Sequence, residues 1–233
     1  MDVLLYKAIA GDLGHKLTAA TVILDFGCGN GETVGQLRTF GFQAYGVDIT
    51  LDQETEFLRC IPKDSEYYIP FDDSTFDVIV SMSVLEHVKN LSKAVSEMWR
   101  VLKPGGCCLH YFPPKFRPIE GHLFVPLGGW LQAYPWLLFW SYLGVRNSFG
   151  KTRPYKENAI LNYNFLKEKT AYRSKKELRE SFSSCFKAVS FVERYQIKHS
   201  YGRARFLYPL VRLFPPIASL YSSLHLRVLF CEK

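Results

Sequence analysis

The sequence predicts a doubly wound α/β fold with a seven-stranded, mostly parallel sheet, in a chain of 233 residues. Short apolar runs, rich in β-branched and aromatic residues, alternate with stretches at helical spacing through residues 21–112, which is the pattern of βαβ units. The first run ends directly in a glycine cluster, ILDFGCGNGE. Because such crossovers are right-handed, the strands are expected to lie side by side with helices on both faces.

The elements follow in order along the chain. Residues 2–17 have apolar positions at roughly helical spacing, which predicts an N-terminal helix or helix pair. The segment Lys103-Pro104-Gly105-Gly106 is expected to end a helix and turn the chain into the fifth strand. The predicted strands are 21–26, 43–48, 66–70, 76–82, 105–112, 186–197 and 226–233, and the predicted helices between them are 32–40, 52–59, 88–102 and 175–184.

Length and composition favour one globular domain over residues 1–233, because the chain is 48% hydrophobic and 22% charged. We expect a ligand-binding half over 1–112 and two cap insertions, 113–174 and 198–224. The net charge of +7 suits an acidic partner but is equally explained by solvated surface lysines and arginines. Six cysteines without a C-x-x-C pair, and an N-terminus unlike a secretory signal, predict a cytoplasmic protein.

The glycine cluster is the strongest local signal. Gly27, Gly29 and Gly31 follow a strand and open a helix, so the backbone can pass close to a ligand where no Cβ intervenes. Asp48 ends the second strand, where a carboxylate can accept hydrogen bonds from two ribose hydroxyls. Asp25, still on the first strand, favours a cationic sulfonium or ammonium group over a pyrophosphate.

Four segments carry a family resemblance. In order they are ILDFGCGNGE, GVDIT, IPFDDSTFDVIVSMSVLEHV and RVLKPGG, and at these residues the chain resembles class I S-adenosylmethionine-dependent methyltransferases of the broad small-molecule type, the methyltransferase type 11-like family. The resemblance implies S-adenosylmethionine as the cofactor. It also implies a Rossmann-like sheet whose last strand is antiparallel, with an aromatic-rich cap.

The resemblance also implies which residues contact the cofactor. The glycine loop would hold the amino-acid part, Asp48 the ribose and Ile49 the adenine. Ser65 stands where such families often place an acidic contact to the adenine amine, next to Glu66, and the methionine side is expected beside Ser81 and Met82. The predicted cofactor residues are Asp25, Gly27, Cys28, Gly29, Asn30, Gly31, Asp48, Ile49, Ser65, Ser81 and Met82.

Two pairs of residues are candidates for the base that activates a methyl acceptor. Glu120 and His122 open the insertion after the fifth strand, in a segment, E-G-H-x-x-x-P followed by W-L, that resembles methyltransferases of sugars, lipids and other secondary metabolites. Ligands of doubly wound folds bind outside the carboxyl ends of the strands, so His122 is the predicted base and Glu120 its orienting partner. The alternative is a structural histidine that is hydrogen-bonded inside a lid. The second pair is Glu86 and His87, for which a structural role at a helix start is the alternative. His110, within a strand, is expected in the core.

A metal site is not predicted. The segment around Glu86 and His87 is similar to the E-x-x-E-H motif that binds a divalent metal in small-RNA and ubiquinone-pathway O-methyltransferases, but Ser83 replaces the first acid. Glu120 or His122 would be needed to complete such a site.

The insertion also bears on the acceptor. Residues 123–145 contain no charged side chain, but prolines and glycines interrupt them, so a substrate cap or an in-plane membrane contact is favoured over a span. Residues 206–221 form a second apolar segment, preceded by basic residues that suit an anionic lipid surface. Together these features predict methylation, at oxygen, of a small-molecule, sugar or lipid-like acceptor, with possible peripheral membrane contact through 123–145 and 206–221.

Three other functions remain open on the sequence. A nucleic-acid methyltransferase would suit the charge and the aromatic content, but the aromatic residues cluster apart from the lysines, and SMSVLEHV stands where an N-P-P-Y-like motif is expected. A non-catalytic, membrane-docked binding module would have the fold without turnover. An NAD-dependent oxidoreductase would need G-x-G-x-x-G, whereas Glu32 occupies the place of the third glycine.

Overall fold

Seven strands form one sheet in a computed structural model that describes residues 3–62, 67–147 and 150–233. The strands are β1 Val22–Phe26, β2 Gln43–Asp48, β3 Leu58–Cys60, β4 Phe76–Met82, β5 Leu102–Phe112, β6 Ala188–Phe191 and β7 Arg227–Glu232. Their order in the sheet is β3-β2-β1-β4-β5-β7-β6. All pairs among the first five strands are parallel, and β7 runs antiparallel to both of its neighbours, β5 and β6. The predicted doubly wound, seven-stranded sheet with an antiparallel last strand is confirmed.

The central strands are apolar because both faces of the sheet are covered. Leu24 on β1 is fully buried and pairs with Tyr45 on β2 and Ile79 on β4. The helices are α1 Val3–Asp12, α2 Glu32–Thr39, α3 Leu91–Val101, α4 Tyr134–Tyr142, α5 Tyr155–Lys169, α6 Lys175–Ser183, α7 Glu193–Lys198, α8 Tyr208–Leu213 and α9 Pro216–Leu224, with a 3₁₀ turn at Arg203–Leu207. One apolar cluster joins the sheet to α3 and α6, and a second joins it to α1 and α2.

Local signals explain where α3 and α6 begin. The Asn90 side chain accepts a hydrogen bond from the Lys93 N–H and caps α3, whose apolar face is buried against the sheet. Ser174 and Glu177 form a capping box at the start of α6. Both helices were predicted, and α3 passes directly into β5, with Gly105 at a φ of +76° inside the strand.

The third strand was placed wrongly. The predicted helix 52–59 is absent, and Thr55 instead turns the chain into β3 by accepting the N–H groups of Phe57 and Leu58. The predicted strand 66–70 is not a strand over its described part, 67–70. There the Ile69 N–H donates to Glu97 and its carbonyl accepts from Arg100, so side chains of α3 take the place of a neighbouring strand.

The predicted strand 186–197 is also too long. β6 ends at Phe191 and α7 begins at Glu193. The Glu193 carboxylate is buried and lies 2.6 Å from Nζ of Lys175 and 3.1 Å from the Ser222 hydroxyl. This buried ion pair fixes the chain as a helix where apolar content alone suggested an extended strand.

The two insertions form separate apolar clusters among the described residues. The first gathers around Leu123, Val125, Leu137 and Leu166, and the second around Ile197, Val211 and Ala218 on α7 to α9. Within the same part of the chain, no helix combines the length and the apolar content needed to cross a bilayer.

Candidate functional site

A cleft of about 620 Å³ opens where β1, β2 and β4 end. The chain order reverses between β1 and β4, and the crevice at such a switch point is where doubly wound folds bind ligands. The volume lies in the range of small-molecule sites. Gly27, Asp48, Ile49 and Met82 line the sheet side of the cleft, whereas Phe165, Glu168 and Lys169 of α5 line the side formed by the insertion.

The glycine loop meets this cleft at Gly27. Gly27, Gly29 and Gly31 have φ values of +80°, +53° and +83°, a region that side chains disfavour. A Cβ on Gly27 would lie 2.4 Å from Cγ2 of Val84, and a Cβ on Gly31 would lie 2.6 Å from Cδ1 of Leu58. The glycines therefore allow both the turn and its close approach to neighbouring side chains.

Asp48 braces this loop. Its Oδ2 accepts the Gly29 N–H at 2.8 Å, and its Oδ1 accepts the Thr50 N–H at 2.9 Å and the Thr50 hydroxyl at 2.8 Å. Because Asp48 also lines the cleft, the same residue holds the loop and borders the cleft. Sequence analysis predicted the ligand contact but not the bond to Gly29, although both residues were in the motif.

The other predicted cofactor residues differ in exposure. Ile49 and Met82 are exposed at the cleft, by 47% and 39%, whereas Asp25 is buried beneath the loop. Burial, and then the nearby charge of Asp48, raise the pKa of Asp25 to about 7. Cys28 is also buried, and Asn30 is exposed and accepts the Glu32 N–H.

The expectation that Ser81 lines the cleft is wrong. Its hydroxyl is fully buried, 2.8 Å from Nδ1 of His110, and its carbonyl accepts the Tyr6 hydroxyl. Strand alternation explains the difference, since Met82 points to the opposite side and lines the cleft. His110 lies in the core, as predicted. Ser65 and Glu66 lie outside the described residues.

Glu120 and His122 form a tight unit at the start of the insertion. Oε2 of Glu120 accepts the N–H groups of His122 and Leu123, at 2.8 and 2.6 Å, and Oε1 lies 2.7 Å from Nδ1 of His122. The Tyr172 hydroxyl also donates to Oε1. Burial alone would raise the pKa of Glu120, but these hydrogen bonds lower it overall, and the bond to Glu120 raises the pKa of His122.

The insertion brings this unit to the Glu86–His87 pair. The His122 ring lies 5.0 Å from the His87 ring and 5.4 Å from the Phe165 ring, centroid to centroid, and both of those residues line the cleft. Nδ1 of His87 donates to the Lys169 carbonyl at 2.6 Å, and its Nε2 lies 3.9 Å from Oε1 of Glu86. The three predicted catalytic residues, His122, Glu120 and His87, therefore lie together at one corner beside the cleft, and of the three His87 lines it.

Glu86 is the unusual member of this corner. The residue is 3% exposed, and neither carboxylate oxygen has a hydrogen-bond donor from another described residue. Burial raises its pKa to about 7. One ligand atom from each of Glu86, His87 and His122 lies within 4.8 Å of the others, so this donor set could hold a metal ion.

Arg173 fixes the loop that carries the pair. Its guanidinium donates to the carbonyls of Leu85, Val88, Lys89 and Ala171. The end of the insertion is thereby joined to the segment after β4. Sequence analysis did not identify Arg173 or Tyr172, since neither belongs to a motif.

Comparison with known proteins finds a matching family. Residues 24–110 match the family described as Methyltransferase domain, Methyltransf_11. The chain is 33% identical to sterol 4-C-methyltransferase strm-1 of Caenorhabditis elegans, over 45% of this chain and 35% of that protein. It is 32% identical to a probable tRNA methyltransferase 9B of Mus musculus, over 39% of this chain and 21% of that protein.

The matched segments thus span about a third or less of these two relatives. The fold is also similar to the crystal structure of a SAM-dependent methyltransferase from Archaeoglobus fulgidus, with a TM-score of 0.52 and 14% identity over 99% of this chain and 94% of that one. The family match thus gives residues 24–110 a methyltransferase domain, and the fold is that of class I S-adenosylmethionine-dependent methyltransferases, whose cofactor is S-adenosylmethionine.

Proposed function

We propose that the protein transfers a methyl group from S-adenosylmethionine to a hydroxyl oxygen of a hydrophobic, lipid-like or sugar-containing acceptor. The observation that carries this proposal is the placement of His122. Its Nδ1 is held by Glu120, and its ring packs against two residues that line the cleft, His87 and Phe165. A fixed imidazole beside a cofactor cleft is suited to remove the proton of an acceptor hydroxyl.

The residues of the sheet edge fit the cofactor. The glycine loop turns at positive φ and meets the cleft at Gly27, Asp48 lines the cleft with a carboxylate suited to ribose hydroxyls, and exposed Ile49 offers an apolar surface for a purine. Asp48 gives this edge a negative character that favours a sulfonium ligand. When bound, S-adenosylmethionine supplies an activated methyl group.

The chain then has two tasks. It aligns the acceptor oxygen with the methyl carbon, which can contribute most of the acceleration, and it removes the hydroxyl proton. Glu120 holds the His122 ring in the tautomer with a proton on Nδ1. Nε2 is then free to accept the proton of the acceptor hydroxyl. Tyr172 keeps Glu120 in place through its hydroxyl.

The walls of the cleft support an apolar acceptor. Phe165 of the insertion, Met82 at the end of β4, Val88 from the segment after β4, and Tyr67 all line the cleft. We propose that residues 113–174 act as the cap over the acceptor. Secondary metabolites with a hydroxyl beside an apolar group fit this description.

The second insertion supports a peripheral contact with an anionic bilayer. Phe206, Leu213, Phe214 and Leu220 are exposed by 71%, 74%, 59% and 65%. Residues 200–224 contain three arginines and no acidic residue. Apolar side chains flanked by cations are suited to the headgroup region of anionic lipids. A membrane-bound acceptor would then be delivered to the enzyme at the bilayer surface.

The test is transfer of a labelled methyl group to a panel of amphiphilic alcohols, glycolipids and tRNA. We expect transfer to an amphiphilic alcohol or a glycolipid, with His122→Ala slowing turnover by about 10²–10⁴-fold while binding of S-adenosylhomocysteine is retained. His225→Ala, outside the cleft, serves as the matched control. Transfer to tRNA alone would contradict the proposed acceptor, and binding without transfer would favour a non-catalytic module.

A further inference from the structure

The carboxylate of Glu86 lies buried without a hydrogen-bond donor from another described residue. Burying such a group unpaired is costly, and buried carboxylates are ordinarily paired or bound to a metal. Among the described residues, His87 lies nearby, with its Nε2 3.9 Å from Oε1 of Glu86, beyond hydrogen-bonding distance. Glu86 therefore points to a ligand that these described residues do not provide.

The two histidines nearby are oriented as metal ligands are. Nδ1 of His87 donates to the Lys169 carbonyl, and Nδ1 of His122 to the Glu120 carboxylate. Metal-binding histidines almost always donate their second nitrogen to a carbonyl or a carboxylate, which fixes the tautomer and turns the other nitrogen to the ion. Both rings thus present Nε2 as the free ligand atom.

The distances between the donors are compatible with one ion. One ligand atom from each of the three residues lies within 4.8 Å of the others. Tetrahedral ligands at about 2.0–2.2 Å from a zinc ion lie about 3.3–3.6 Å from one another, so the side chains must approach one another by up to about 1 Å to share one ion. Glu120 is already occupied by four hydrogen bonds and acts as the outer partner of His122.

We propose that Glu86, His87 and His122 bind one divalent transition-metal ion, with open coordination positions on the side of the cleft. Two imidazoles and one carboxylate form a donor set that suits zinc and ferrous iron. The catalytic consequence rests on the proposed function: in the metal-bound protein Nε2 of His122 is a ligand, and the ion lowers the pKa of a hydroxyl bound to it. Metal binding itself does not depend on turnover.

The experiment uses the full chain, stripped of metal by chelator and dialysis, and titrated with Co²⁺ and with Zn²⁺. Co²⁺ binding is followed by its visible absorption, Zn²⁺ by displacement, and stoichiometry by elemental analysis after gel filtration. We expect one ion per chain. Glu86→Gln and His122→Ala should each weaken binding at least tenfold, and Glu120→Gln by about 10–100-fold as an outer partner. His199→Ala is the control for a surface histidine beside a carboxylate, and it should bind as the parent does.

A variant that fails to fold is recognised by loss of S-adenosylhomocysteine binding, which reports on the cofactor side of the cleft. Anomalous scattering from zinc-soaked crystals of the unaltered protein locates the ion without any substitution. A peak between the three side chains supports the proposal. Absence of stoichiometric binding, or binding that Glu86→Gln and His122→Ala leave unchanged, overturns it. Either result is independent of methyl transfer. A bound ion would leave the proposed methyl transfer in place, but it would replace Nε2 of His122 as the group that promotes loss of the hydroxyl proton.

Discussion

The His87 ring stands nearly perpendicular to the His122 ring, with an interplanar angle of 77° and centroids 5.0 Å apart. His87 belongs to the segment after β4, and His122 to the insertion that follows β5. The path of the insertion therefore brings a second imidazole to the cofactor cleft. This contact joins the part of the chain that binds the cofactor to the part proposed to bind the acceptor.

Replacing Glu120 tests the orientation of His122. In Glu120→Gln the amide still accepts a hydrogen bond but no longer stabilises an imidazolium, so turnover should fall by about tenfold or more while the affinity for S-adenosylhomocysteine is unchanged. Turnover and cofactor affinity are measured on the same preparation. Glu180→Gln, which alters an exposed carboxylate on α6 outside the cleft, is the matched control. Normal turnover in Glu120→Gln would show that His122 needs no carboxylate partner.

Two glycine-to-alanine substitutions should change the free energy of unfolding in opposite directions. Gly27→Ala places a Cβ 2.4 Å from Val84 at a φ of +80°, so it should lower the free energy of unfolding by about 1–3 kcal/mol and weaken cofactor binding. Gly35→Ala lies in α2 with no atom within 4 Å of the new Cβ. It should raise the free energy of unfolding by about 0.5–1 kcal/mol. Denaturant unfolding measures the free energy of unfolding of both variants. Equal changes in the two variants would contradict the role of Gly27.

The hydrogen bonds of Arg173 predict that its replacement lowers both stability and turnover. Arg173→Met removes four hydrogen bonds to carbonyls, three of them at Leu85, Val88 and Lys89, and should lower the free energy of unfolding by about 2–4 kcal/mol. Turnover should fall as well, because those carbonyls flank Glu86 and His87. Arg153→Met, at an exposed position, should leave both quantities unchanged. Unaltered turnover in a destabilised Arg173→Met would separate the loop from catalysis.

The exposed apolar segment predicts binding to lipid vesicles. The unaltered protein should co-sediment with vesicles containing phosphatidylglycerol more than with phosphatidylcholine alone, and less at high salt. A Leu213→Asp/Phe214→Asp double variant should lose this binding, whereas Phe40→Asp, on an exposed residue at the end of α2, should retain it. Equal binding of all three proteins would exclude this surface as the contact.

Physical reasons separate what the sequence could predict from what it could not. The buried strands around Leu24 and Ile79 were predictable because both faces of a parallel sheet are covered, which leaves continuous apolar runs. The edge strand β3 was not, because its three residues are half exposed and carry no such run. Asp48 was found through its motif. Tyr172 and Arg173 act through contacts that the path of the insertion creates. Neither local spacing nor composition determines that path.

The most direct test is calorimetric titration of the purified protein with S-adenosylhomocysteine, with NAD in a parallel run and Asp48→Ala as the variant. The account predicts micromolar binding of S-adenosylhomocysteine alone, abolished in Asp48→Ala because that substitution removes both the carboxylate facing the cleft and the brace on Gly29. Failure of the unaltered protein to bind S-adenosylhomocysteine, or tighter binding of NAD, would contradict it.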